Sequence, residues 1–151
     1  MITVGQLESS VIGVVVVILL LTSPLVNVLG VTAQNPTTIG DGTATASVER
    51  LDTDAYADVD ASPNGLQIGP EEATIDRVAF AVDAAEATIE EAAAAGADVL
   101  VTHHGLVWGG LDRVTGRDYE NIAALVENDL ALYVSHLPLD GHQELGNAAG
   151  V

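Results

Sequence analysis

The chain has 151 residues, 22 acidic side chains against 4 basic ones, and a formal net charge of -18 at pH 7. That length fits one modest domain or a domain plus an appendage, and so acidic a surface repels phosphate backbones, which argues against nucleic acid as a partner. With no cysteine and no lysine, disulfides, thiolate sites and Schiff-base chemistry are excluded, and any metal must be held by His, Asp or Glu.

Val11 to Val31 is an uncharged, mostly apolar run, densest from Val14 to Leu21. A helix of about 20 such residues crosses a bilayer, so residues 1–31 read as an apolar N-terminal helix, with 11–31 as a membrane anchor. Thr22, Ser23, Pro24 and Asn27 weaken its second half. A secretory signal cleaved near Val31-Thr32-Ala33 is the rival reading, although the leader carries Glu8 and no basic residue. A buried strand of a soluble protein is the third. The flanks lack Lys and Arg and leave orientation open. Residues 32–53 are polar, small and turn-rich, and read as a linker with one weak strand near Thr43 to Val48.

Residues 54–151 form a different kind of sequence. Asn64-Gly65 is a turn signal and Leu66 to Gly69 a short strand. Arg77 to Val82 is a buried strand. Asp83, with Glu86 three residues on, is a capping-box pattern opening an alanine-rich helix that Gly96 stops. Val99-Leu100-Val101 then runs through Thr102 into His103-His104-Gly105. The loop from Gly105 to Thr115 holds the only tryptophan, Trp108. Tyr119, Ile122, Ala123 and Val126 recur at helical spacing and predict an amphipathic helix over Arg117 to Glu127, ended by Asn128. Leu130 to Ser135 is a third buried strand, His136 to His142 the loop beyond it, and Gln143 to Val151 the start of a further helix.

This order predicts an α/β fold with a mostly parallel βαβαβ sheet, because helical crossovers make successive strands parallel. Parallel strands all end on one edge, where open α/β sheets place their sites. Asp83, His103, His104, His136, Asp140 and His142 all follow strand ends and should gather there. His103, His104 and Asp140 are the candidate metal ligands. His136, His142 and Asp83 are candidates to orient a ligand or substitute for one. Adjacent side chains leave an extended backbone in roughly opposite directions, so the histidine pair would serve one metal awkwardly and two metals easily. The bland alternatives are a structural histidine pair, loop histidines bonded to backbone, and Asp140 as a turn or helix cap. There is no glycine-rich phosphate loop and no Gly-x-Ser-x-Gly elbow. The acidic surface suits a concentrated-salt cytosol, where ions screen self-repulsion.

Four motifs occur in order: Asn64-Gly65-Leu66-Gln67-Ile68-Gly69, Val78 to Asp83, Gly96 to His104, and Leu132 to Asp140. Together they resemble the NIF-three-like dinuclear metal-centre family, also known as GTP cyclohydrolase I type 2 homologues, over residues 54–151. The resemblance implies two divalent metal ions per subunit, with His103, His104 and Asp140 as ligands. It further implies hexameric rings, a cytoplasmic location and a metal-dependent hydrolase. It also implies a His and a Glu one helical turn apart, nearer the C-terminus than this sequence reaches. A non-catalytic, membrane-tethered metal-binding or assembly module and an inactive truncated fusion are the alternatives.

Overall fold

The computed structural model describes residues 27–30, 37–38, 51–144 and 146–150. Three parallel strands form its centre: β5 (Arg77–Asp83), β6 (Val99–His104) and β7 (Ala131–Val134). They are joined by α1 (Glu86–Ala94) and α2 (Arg117–Glu127). Two edge strands run the other way. β1 (Asn27–Gly30) pairs with β5, and β3 (Gly65–Ile68) pairs with β7, giving the order β1-β5-β6-β7-β3. The expected parallel sheet is thus the core of a mixed one. Crossovers leave β5 and β7 each with an unpaired row of backbone groups, and the antiparallel strands satisfy those rows. A second sheet pairs β2 (Thr37–Thr38) with β4 (Thr74–Ile75).

The alternation of side chains divides the core. Ala79, Leu100, Leu132 and Val134 face the helices and pack with Ile89 and Ala92 of α1 and Leu125 of α2. Val78, Val99, Ala131 and Tyr133 form a second cluster with Ile75. Both helices lie on one face and touch each other, as expected when two crossovers of one hand advance along a sheet in one direction. The opening of β5 is tied to that of β6 by Asp98, whose carboxylate accepts from the backbone N–H of Asp76 (2.8 Å) and Arg77 (2.7 Å). Gly96 closes α1 at φ +67°, and the Arg77 guanidinium caps the same end through the Ala95 carbonyl.

Several local expectations are corrected. The apolar helix expected over residues 11–31 does not extend through Asn27–Gly30, which is strand β1, because the open edge of β5 offers it backbone partners. The dense part of that run and the strand expected near Thr43 to Val48 lie outside the described residues. Among the described residues no helix is long and apolar enough to cross a membrane. Asp83 does not cap α1. It is the last residue of β5, and Thr88 Oγ1 instead accepts the Ala85 N–H at 2.9 Å. The buried stripe of α2 is Asn121 and Leu125, while Tyr119 and Val126 are 61% and 63% exposed. The helix is rotated so that Leu125, one position from Val126, reaches the sheet. Finally, Leu137–Gly141 is a short helix (α3) rather than a loop, with Pro138 favouring its first turn, and Asn147–Gly150 is a 3-10 turn rather than an α-helix.

Candidate metal centre

β6 ends in His103 and His104, and β7 is followed at once by Ser135 and His136. Because β6 and β7 are parallel neighbours, with Thr102 opposite Val134, their C-terminal ends bring the three histidines together. One ring nitrogen from each of His103, His104 and His136 lies within 4.8 Å of the others. The rings are 4.5 Å (His103 to His104), 4.8 Å (His103 to His136) and 5.6 Å (His104 to His136) apart between centroids. The adjacent pair therefore converges at the ring ends instead of diverging, although both residues belong to β6.

Each imidazole is held from behind at Nδ1. His103 Nδ1 faces the Ser135 carbonyl at 3.1 Å, His104 Nδ1 the Asp83 carboxylate at 2.7 Å, and His136 Nδ1 the Asp60 carboxylate at 2.9 Å. A carbonyl and an ionised carboxylate only accept. In its neutral form, a ring so placed would carry its proton on Nδ1 and keep its lone pair on Nε2. That is the arrangement by which metal-binding histidines are oriented. The register explains one of these bonds directly, since Asp83 lies opposite His104 at the ends of β5 and β6.

Asp140 borders the cluster from α3. Its Oδ2 lies 3.5 Å from His103 Nε2, and its Oδ1 accepts from Asn147 Nδ2 at 2.7 Å. Of the expected residues, the structure gathers His103, His104 and His136, places Asp140 beside His103, and places Asp83 behind His104. His142 stands apart from the three-histidine group, accepting the Glu144 N–H through Nδ1 at 3.2 Å. Trp108 walls one side, its ring edge-on to His136 at 5.0 Å, with its indole N–H donating to the Gly105 carbonyl.

Asp60 is the residue that sequence reasoning missed. Its side chain is only 1% exposed and accepts four hydrogen bonds: from His136 Nδ1, Asn64 Nδ2 and the backbone N–H of Ser62 and Leu137. Burial alone would raise its pKa. The bonds from Asn64, His136, Ser62 and Leu137 outweigh burial and lower it from 3.8 to about 2. The local signal was the spacing Asp60-x-Ser62-x-Asn64, an Asx-turn pattern. The partner at His136 lies 76 residues away and left no local trace.

The Duf34/NIF3 (NGG1p interacting factor 3) family profile matches residues 45–151. A protein named GTP cyclohydrolase 1 type 2 homolog from Halobacterium salinarum is 62% identical over 103 residues, covering 68% of this chain and 40% of that protein. The protein of the same name from Treponema pallidum is 47% identical over 96 residues, covering 64% and 34%. Among solved structures, the protein ybgI, of unknown function, matches at TM-score 0.61 and 39% identity over 68% of this chain and 40% of its own. A Thermus thermophilus protein matches at TM-score 0.60 and 36% identity, over 66% and 40%. The chain spans well under half the length of the curated relatives it matches. With the family profile covering most of its length, the chain belongs to the DUF34/NIF3 family.

Proposed function

We propose that this chain binds divalent metal through His103, His104 and His136, with Asp140 beside them, and contributes that centre to a metal-dependent hydrolase. The observation that carries the reading is the shared orientation of the three imidazoles, each backed at Nδ1 by an acceptor. A divalent ion bound there would supply Lewis acidity toward a polarised substrate bond. The chain's own residues do the positioning. Ser135, Asp83 and Asp60 hold the ring protons away from the cluster, and Asn147 fixes Asp140 so that its other oxygen points at His103. Trp108 stands edge-on to His136 on the same rim. The Asp140 side chain, 41% exposed, gives the site a carboxylate in reach of solvent.

Two ions per subunit, the number the family resemblance implies, need more donors than these, since one closed zinc site alone takes four. Homo-oligomeric assembly, hexameric by the same resemblance, and a cytoplasmic location belong to this proposal too. The test is metal content. The full chain, equilibrated with zinc or manganese and desalted, should retain metal by elemental analysis, and the His103→Ala/His104→Ala double variant should not. Unchanged metal in the double variant refutes the site. Metal-dependent hydrolysis of nucleotide or phosphoester substrates tests the enzymatic half, and sedimentation tests assembly.

A further inference from the structure

Asp60 belongs to no strand end and lies before β3, on the opposite side of β7 from β6. Yet its four hydrogen bonds converge on one place. Oδ1 takes the His136 ring and the Ser62 N–H, while Oδ2 takes Asn64 Nδ2 and the Leu137 N–H. Asn64 in turn accepts the His136 backbone N–H through Oδ1 at 2.7 Å. The backbone N–H and ring of His136, and the N–H of the next residue, are thus all held by the 60–64 turn. An acidic residue placed only to close a turn would need one of these bonds. A carboxylate buried to this degree and satisfied at both oxygens is a fitted part.

We propose that Asp60 is a positioning residue for the metal centre: it holds His136 with its proton on Nδ1 and its Nε2 lone pair turned to His103 and His104. The inference rests on the metal reading for its affinity arm only. The tautomer it assigns to His136 is a property of the metal-free protein.

The chemistry of the amide makes Asp60→Asn informative. One oxygen becomes an N–H donor, and each oxygen now faces two donors. If the amide nitrogen takes the Oδ1 place, it confronts His136 Nδ1 and favours the opposite tautomer, with the proton on Nε2. If it takes the Oδ2 place, it confronts the Leu137 N–H, which cannot turn away. Either way His136 loses part of its fixed orientation, while side-chain volume is kept.

The experiment uses the full chain in three readouts. Nitrogen-15 NMR of the imidazoles in metal-free protein should show His136 protonated at Nδ1 at neutral pH. Protonation at Nε2 in the wild type overturns the proposal. Zinc or cobalt titration should show affinity falling about 10- to 100-fold in Asp60→Asn, the range for losing an orienting partner. Asp60→Ala serves as a second variant. In a His136→Ala background the same Asp60 substitutions should change affinity little, because the group Asp60 positions is gone. An equal fall in both backgrounds marks general damage to the fold and overturns the positioning role, as does wild-type affinity in Asp60→Asn. If the wild type retains no metal, the metal reading fails, and the positioning of His136 is still decided by the NMR result.

Discussion

Gln67 offers the sharpest perturbation of the rim. Its side chain leaves β3 and joins that strand to the loop that carries Trp108. Its Oε1 accepts from the backbone N–H of Leu106 (2.9 Å) and Val107 (3.0 Å), and its Nε2 donates to the Pro63 carbonyl at 2.9 Å. Substituting Gln67→Ala removes these three short bonds, together with the longer ones from Nε2 to Ser62 Oγ (3.4 Å) and the Val107 carbonyl (3.5 Å), and leaves two half-buried N–H groups to find water. At about 0.5–1.5 kcal/mol net per bond, the loss of the three short ones is about 1.5–4.5 kcal/mol. The Gly105 backbone packs under the same amide, where an added Cβ would strike Gln67. Trp108 is the single tryptophan, and it hangs from this loop by its bond to Gly105. Its fluorescence therefore reports this loop and the histidine rim beside it. We expect Gln67→Ala to lower the urea midpoint, lower the fluorescence anisotropy of Trp108 and raise its accessibility to iodide. Gln67→Glu keeps an acceptor for both N–H groups and should lie between wild type and Ala. Unchanged midpoint, anisotropy and quenching in Gln67→Ala would refute the clasp role.

Other outcomes follow from the same structure. Leu132, fully buried between the helices and the sheet, should cost about 3 kcal/mol when cut to Ala, read from urea denaturation. The lowered pKa of Asp60 means that its ionised form stabilises the fold. That contribution, about 2 kcal/mol, is fully present above about pH 4 and is lost as pH falls toward 2. Acid titration of metal-free wild type against Asp60→Asn should show this slope in the wild type only. With a net charge of -18, raising salt from about 0.1 M to 1 M shrinks the screening length from about 10 Å to 3 Å, and Tm should rise. A fall would show that specific ion pairs outweigh self-repulsion.

The central fold was legible because its signals are local. Val78 to Val82, Val99 to Val101 and Leu132 to Val134 are apolar runs of strand length, and Gly96 and Asn128 mark helix ends where they should. Sheet physics then placed His103, His104 and His136 on one rim. What sequence could not supply was partnership across the chain. The antiparallel edges come from which segment happens to meet an open backbone, and nothing near Asn27 or Leu66 states that. Asp83 looked like a cap because its spacing to Glu86 is local, whereas its partner His104 sits across the sheet. The partner that holds the His136 ring, Asp60, likewise lies far earlier in the chain.

The distance between Asp60 and His136 also orders events in time. β5 meets β6 with Val78 opposite Val99, and β6 meets β7 with Val99 opposite Ala131, each across one helical crossover. β3 meets β7 with Gly65 opposite Val134, closing a much longer loop, and long closures come late in folding because their entropy must be overcome first. The three histidines are thus brought near one another early, while the ring of His136 is turned and locked only when the last edge strand docks. In a refolding experiment, helix signal should develop before metal uptake, and the ion should bind the finished sheet far better than its precursors. Metal would then act as a latch on the final step, slowing the undocking of β3 more than the loss of any other element.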